Sequence, residues 1–238
     1  MRTTSAKIHP LMLTEHQAEQ LAQLGLGDED AEAWRSSGRS EDEFGDWLID
    51  RVARRPSGTR ARETYGAETT HDFARRAILA ALAPGPGDDL LEIGCGGGLL
   101  LRDVLATGAR AVGLDHSPEM VALALETAPG ADIVLGSAED LPFPDASFSA
   151  IAMSIVFLFF DDPLAVLREC HRVLRPNGRL AVYTTAPELR GTPAAPEPVA
   201  RHGHFYSDAE LAALARDAAF DDVVAVTERG GQLLTARR

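Results

Sequence analysis

The stretch Asp89-Leu90-Leu91-Glu92-Ile93-Gly94-Cys95-Gly96-Gly97-Gly98 decides the fold. A short apolar run broken by one acid passes straight into a glycine-dense loop. The run has the length of a buried strand. Glycines directly behind it permit tight backbone angles and let the chain come close to a ligand. The residues after the loop read as a helix from Gly98 to about Thr107. Strand, glycine loop and helix together open an α/β sheet, whose ligands sit at the carboxyl ends of the strands.

Working outward, the same alternation continues. Strands are expected at 110–115, 132–135, 148–155 and 179–185. Ser117-Pro118-Glu119 opens a helix, with Ser as cap and Pro at the first helical position. A helix at 162–174 stops at Pro176-Asn177-Gly178, and Ser207 caps a helix at 208–218. A Pro-rich loop spans 186–204. Two last strands, 222–228 and 231–236, are separated at Gly230-Gly231 and read as an antiparallel hairpin. Upstream, a helix over 60–82 ends before Pro84-Gly85-Pro86-Gly87. The pattern predicts a Rossmann-like, doubly wound sheet of seven strands, mostly parallel with an antiparallel C-terminal hairpin.

Residues 1–58 differ from that rhythm and read as an N-terminal helical appendage on a domain at 59–238. Thr14-x-x-Gln17 and Ser40-x-x-Glu43 are capping boxes. Phe44, Trp47, Leu48 and Val52 follow at helical spacing, Gly25 ends the first helix, and Arg55-Pro56-Ser57-Gly58 is a linker. The apolar stripes serve either as ordinary packing surface or as a cap over a substrate pocket.

Composition narrows the function classes. The chain has 238 residues, 45% of them hydrophobic, and a net charge of −13. Nucleic-acid binders usually present a basic face to phosphates, so neither DNA nor RNA is expected as partner. No apolar run reaches the roughly 20 residues of a membrane span. Lys7 is followed by Ile8-His9-Pro10 rather than an apolar export segment, so no membrane partner and a cytoplasmic location are expected. The two cysteines, Cys95 and Cys170, form neither a disulfide framework nor a metal spacing. Cys95 reads as a small side chain filling a tight turn, and no metal site is expected.

The glycine loop does not have the dinucleotide spacing G-x-G-x-x-G. Counted from Gly94 the sixth position is Leu99, and the frame starting at Gly96 fails as well. What remains is E-x-G-x-G-x-G with Glu92 at the strand end. A carboxylate there would repel a pyrophosphate and attract a cation. Asp115 ends the second strand, where an acid accepts the hydroxyls of a ribose. The pair therefore favours a cationic nucleoside such as S-adenosylmethionine.

Five segments, in order, carry a family resemblance. They are Leu90-Leu-Glu-Ile-Gly-Cys-Gly-Gly-Gly98, Ala111-Val-Gly-Leu-Asp115-His-Ser-Pro-Glu-Met120, Gly136-Ser-Ala-Glu-Asp-Leu-Pro-Phe-Pro-Asp-Ala-Ser-Phe148, Leu167-Arg-Glu-Cys-His-Arg-Val-Leu-Arg-Pro-Asn-Gly178 and Phe205-Tyr-Ser-Asp-Ala-Glu-Leu211. Over roughly 65–228 the chain resembles class I S-adenosylmethionine-dependent methyltransferases, in particular their ubiquinone/menaquinone C-methyltransferase-like branch (methyltransferase type 11). The resemblance implies S-adenosylmethionine as cofactor and S-adenosylhomocysteine as product. It implies that Glu92, Gly94, Cys95 and Gly96 hold the methionine part, with Tyr65 from the preceding helix closing over it. Asp115 would bind the ribose and His116 lie along the adenine. Ser137, Ala138 and Glu139 would follow the adenine edge, with Leu141 on its face. Met153 and Ser154 would approach the methionine amino group.

Three positions depart from the family's pattern. Ser137 replaces a common Asp, which weakens the contact to adenine. Ser149 replaces another Asp and is read as structural. Phe157-Leu158-Phe159-Phe160 stands where paired histidines are common, giving an apolar wall.

Methyl transfer is an in-line displacement helped chiefly by alignment, and a base is needed only where the acceptor loses a proton. His204 and His71 are the candidate bases, with Tyr65 a third. Phe157, Phe159 and Tyr206 are candidate substrate contacts, with Phe205 beside them; each serves equally well as core. The expected reaction is methylation of O, N or C on a small, partly apolar acceptor by a monomer or homodimer. The competing expectations are a cyclase or isomerase that keeps the cofactor as an electrostatic prop, a peptide or protein acceptor, and a non-catalytic binding subunit.

Overall fold

The side-chain alternation along β1 (Asp89–Ile93) organises the molecule. Leu90 joins one hydrophobic cluster and Leu91 and Ile93 join another, on opposite faces of the sheet. By the same two-residue period Glu92 shares the Leu90 face. The computed structural model describes residues 13–228 and 231–238. The Lys7–Pro10 stretch and Gly230 of the expected hairpin turn lie outside the described residues.

The further strands are β2 (Arg110–Asp115), β3 (Asp132–Leu135), β4 (Phe148–Ser154), β5 (Leu174–Thr185), β6 (Asp221–Glu228) and β7 (Gly231–Arg237). They form one seven-stranded sheet in the order β3-β2-β1-β4-β5-β7-β6. The first five strands pair in parallel, while β7 runs antiparallel to both β5 and β6. The expected hairpin is thus present, with its second strand inserted next to β5. The strand order reverses between β1 and β4, the place where sheets of this kind bind ligands.

Helices cover both faces. Ile78 and Leu82 of α5 (Asp72–Leu82), Leu101 and Val104 of α6 (Leu99–Leu105) and Ala124 of α7 (Pro118–Thr127) pack on one face. Val166 and Leu167 of α8 (Pro163–Val173) and Leu211 and Ala215 of α10 (Asp208–Asp217) pack on the other. Ser117 and Ser207 cap α7 and α10 as their positions predict. Ser149 is structural: its hydroxyl donates to Asp88 at 2.7 Å and accepts from the Asp89 amide at 3.0 Å.

Near the N-terminus, α1 (Glu15–Gln23), α2 (Asp28–Ser36) and α3 (Phe44–Ile49) bury their own cluster of Leu21, Trp34, Phe44, Trp47 and Leu48. The Thr14/Gln17 capping box forms in full. Ser40 and Glu43 cap a 3-10 turn that leads into α3. A π-helical turn, Asp50–Arg54, then carries the chain toward the sheet.

Three boundaries correct the sequence reading. The helix expected over 60–82 is broken into α4 (Thr59–Gly66) and α5, because the Arg75 guanidinium takes the carbonyls of Glu68 and Thr70 away from helical pairing. Strand β5 begins at Leu174, which pairs with Phe148 before a register shift, rather than at 179. Strand β4 ends at Ser154, since Ile155 turns into the left-handed region at φ 56°. The Pro-rich loop 186–204 holds a one-turn helix α9 (Val199–His202).

Candidate active site

Glu92 and Asp115 stand on adjacent strands at the carboxyl edge of the sheet and are both buried, at 3% and 7% exposure. The Asp115 carboxylate accepts from the Gly96 amide at 2.8 Å through one oxygen and from the Ser117 amide at 2.9 Å through the other. It therefore ties the glycine loop to the head of α7. Glu92 is the opposite case. Its Oε2 is buried with no hydrogen-bond partner. Burial, and then the negative charge of Asp115, push its carboxyl well above the usual carboxylate range. A lone buried acid of this sort is relieved by an arriving cation.

Backbone geometry makes the room. Gly94, Gly96 and Gly98 all have positive φ. A Cβ on Gly97 would lie 2.2 Å from the Tyr65 carbonyl oxygen, and one on Gly94 would lie 2.6 Å from Val156. Glycine is required at both positions by close approach. Cys95 is buried, and that burial, with Glu92 and Asp115 nearby, pushes its thiol up, so it is no nucleophile.

These residues open on a cavity of about 500 Å³, a size suited to a ligand of nucleoside dimensions. Tyr65, Glu92, Gly94, Cys95, Gly96, Asp115, His116, Ser137, Ala138, Glu139, Ser154, Phe159 and His71 all line it. The buried, unpaired Ser154 hydroxyl is a second polar group available there.

Six expected residues fall outside the wall, Leu141 and Phe205 among them. On β4, Ala150 and Ala152 belong to the α5 face while Ile151 and Met153 belong to the α8 face. Strand alternation therefore admits Ser154 to the cavity and sends Met153 into the opposite core. Phe157 is fully buried, packed on Phe160 and Tyr206 with ring centroids 5.9 and 5.7 Å away, and Tyr206 is held against that core. His204 is half exposed, 3.9 Å from the rim residue Asp161. The His204 amide donates to the Leu158 carbonyl at 2.7 Å.

Other residues enter the wall without an obvious sequence signal. Val52, Arg54 and Pro56 come from the end of the appendage, Arg75 from α5, Thr185 from the end of β5, and Val199 from α9. Thr185 and Ile155 follow parallel strands, a position that could have marked them. The appendage is fastened to the site by several bonds. The Tyr65 hydroxyl donates to the Val52 carbonyl at 3.1 Å, and the Ser117 hydroxyl donates to the Pro56 carbonyl at 3.1 Å. The Gly58 amide donates to Glu119 at 2.9 Å, and the His116 ring meets the Arg54 carbonyl. His202 of α9 lies 3.4 Å from Asp46 of α3, joining the appendage to the Pro-rich loop.

His71 sits in the break between α4 and α5 in a left-handed conformation, φ 51°. Its ring stands edge-on to Tyr65 at 6.3 Å. Burial, and then the nearby Arg75 guanidinium, lower its pKa to about 4. The imidazole is neutral at physiological pH and keeps a free lone pair.

Comparison with known proteins agrees with this architecture. Residues 91–182 match the family described as a methyltransferase domain. The ubiquinone biosynthesis O-methyltransferase of Xanthomonas campestris is 36% identical over 126 residues, 51% of this chain and 51% of the relative. The demethylmenaquinone methyltransferase of Beutenbergia cavernae is 36% identical over 142 residues, 59% and 58% of the two chains. This chain thus spans about half the length of the curated relatives it matches. Among solved structures the [4+2]-cyclase SpnF superposes with a TM-score of 0.62 at 21% identity, covering 72% of this chain and 82% of that one. Over residues 91–182 the chain thus matches a methyltransferase domain, and its fold is shared with S-adenosylmethionine-dependent methyltransferases of known structure, one from Thermotoga maritima among them, at a TM-score of 0.58 and 24% identity. Among the described residues no helix is long and apolar enough to cross a membrane.

Proposed function

We propose that this protein methylates O, N or C of a small, partly apolar acceptor. The observation that carries the reading is the buried Glu92 with its unpartnered oxygen, one strand away from Asp115 and behind a glycine loop. The residues fit the cofactor: an orphaned buried acid suits its ammonium group, and Asp115 retains lone pairs for ribose hydroxyls. When bound, S-adenosylmethionine supplies a sulfonium methyl carbon open to in-line attack.

The chain's own residues then align and shelter the reaction. Glu92 holds the cationic end, Asp115 the ribose, and Ser137 and Ala138 the adenine edge. The described part of the appendage, residues 13–58, acts as a cap, with the π turn closing over the nucleoside. Ile155, Phe159 and Phe160 give the acceptor an apolar wall. His71 receives a hydrogen bond from the acceptor and takes its proton. An imidazole of pKa near 4 is a weak base toward a free hydroxyl. Once the oxygen carries a new methyl group its proton is strongly acidic, and the same imidazole is then ample.

Quinone-like phenols and ring carbons are the first acceptors to try, given the names of the relatives. Candidate acceptors are incubated with isotopically labelled S-adenosylmethionine and followed by mass spectrometry. A labelled methyl group on the acceptor with matching S-adenosylhomocysteine supports the reading. An isomerised or cyclised product without cofactor turnover defeats it.

A further inference from the structure

The break between α4 and α5 is held more firmly than a loop of its length requires. Arg75 is only 6% exposed. Its Nη1 donates to the Thr70 carbonyl at 2.6 Å, its Nη2 to the Glu68 carbonyl at 3.1 Å, and its Nε to Asp103 of α6 at 3.0 Å. The Glu68 carboxylate is gripped from the other side by Arg102 of α6, and the second Asp103 oxygen accepts from Arg102 at 3.1 Å. Two arginines and two acids thus lock residues 68–70 to the helix that begins at the glycine loop. The residue next to this lock is His71, which faces the cavity.

Burying a guanidinium is costly unless its donors are satisfied. Here two of the three satisfying groups are loop carbonyls and the third is the Asp103 carboxylate, so the buried charge sets the path of the backbone. A helix continuing through 67–71 would leave those carbonyls to intrahelical amides and carry His71 on an ordinary right-handed turn. The lock instead delivers His71 in the left-handed region, beside Tyr65.

We propose that Arg75 is a positioning residue for the reaction: it fixes the 67–71 loop through the Glu68 and Thr70 carbonyls so that the His71 imidazole is presented to the acceptor as a proton-accepting group. The inference rests on the methyl-transfer reading above and names the device that makes His71 competent. The step balances. The acceptor oxygen forms a bond to the methyl carbon, the carbon–sulfur bond breaks with its electron pair moving to sulfur, and the acceptor proton passes to a ring nitrogen of His71. The guanidinium contributes a second effect, since a cation beside the imidazole disfavours its protonated form and keeps the lone pair free. The other charged or titratable groups around the loop are Tyr65 from α4, Asp72 from α5, Glu92 from β1 and Asp103 and Arg102 from α6.

The test compares Arg75→Met, Arg75→Lys and Glu68→Gln in the full chain. Glu68 is exposed, so its variant loosens the lock without disturbing the core. The first readout is the His71 imidazole titration, followed by NMR in the protein without cofactor. In the natural protein it lies near 4. In Arg75→Met it moves up, while burial, the larger cause, still holds it below the ordinary histidine value of about 6.5, and in Arg75→Lys it moves less. The second readout is the pH profile of kcat/KM with an acceptor found as above. Arg75→Met loses at least tenfold in kcat/KM and its acid limb moves to higher pH, while Glu68→Gln shows a smaller loss of the same kind. Unchanged His71 titration in a folded Arg75→Met or Glu68→Gln protein overturns the proposal, as does an activity loss that follows thermal stability alone. Because the NMR readout needs no turnover, a protein that methylates nothing would defeat the functional reading while leaving the link between Arg75 and His71 to be judged separately.

Discussion

The Asp115 carboxylate accepts the Gly96 amide at 2.8 Å, so the acid proposed above to bind the nucleoside also holds the glycine loop in shape. Removing it costs binding twice over. Asp115→Ala loses the ribose acceptor and frees the Gly96 and Ser117 amides, each buried donor costing about 1–3 kcal/mol when unpaired. The expected result is at least a tenfold weaker S-adenosylmethionine affinity by calorimetry, about 1.4 kcal/mol, together with a lower Tm. Unchanged affinity would remove Asp115 from the site.

Glu92 makes a prediction about pH. An unfolded glutamate ionises near 4.3, whereas burial and Asp115 hold the folded carboxyl protonated to higher pH. Between those two values the unfolded chain binds fewer protons than the folded one, so stability falls as pH rises. Glu92→Gln removes that penalty. Its Tm in the absence of cofactor should exceed the natural protein's by an amount that grows with pH from about 4 upward. Cofactor affinity has the opposite trend, strengthening with pH as the carboxyl ionises to meet a cation, and Glu92→Gln should abolish that slope. A flat Tm difference from pH 5 to 8 would mean that Glu92 is ionised without its ligand.

Much of this was legible in the chain because local signals and the fold agree. Glu92, Asp115 and the loop glycines are adjacent to strand ends, and caps such as Ser117 and Ser207 announce themselves by residue type. The differences between the expected residues and the cavity wall share another origin. Met153 and Ser154 are neighbours in sequence but point to opposite faces, so naming both required ignoring the period of two. Phe157 and Phe159 lie two residues apart on a 3-10 turn, which puts their rings on different sides, and no apolar pattern resolves that. The π turn, Arg75 and Val199 reach the cavity through long-range packing, and their contacts lie dozens of residues away in sequence.

The appendage is tied to the site through Tyr65, whose hydroxyl donates to the Val52 carbonyl at 3.1 Å. Burial, and then Asp115, push that phenol far above its ordinary range, so it acts as a donor at every accessible pH. Tyr65→Phe keeps the ring and loses one hydrogen bond, worth about 0.5–1.5 kcal/mol. If residues 50–56 close over the cofactor, its dissociation should quicken about two- to tenfold, measured by stopped-flow fluorescence, with little change in Tm. An unaltered off-rate would deny the cap its role in retaining the cofactor.

Ile155 poses a trade between stability and function. It has a β-branched side chain at φ 56°, where such residues are strained by about 1–2 kcal/mol. Its amide is anchored to the Tyr183 carbonyl at 2.8 Å, and the turn it makes leads into Val156, packed over Gly94. Ile155 also lines the cavity, so the strain buys an apolar side chain where glycine would suit the backbone better. Ile155→Gly relieves the strain, offset by about 0.5–1 kcal/mol from the greater freedom of glycine in the unfolded chain. The variant should therefore melt at the same or slightly higher temperature. Its kcat/KM should nevertheless fall severalfold, through KM for the acceptor, because the wall is gone. A clear loss of stability with unchanged KM would show that Ile155 serves packing alone and that the acceptor binds elsewhere along the cavity.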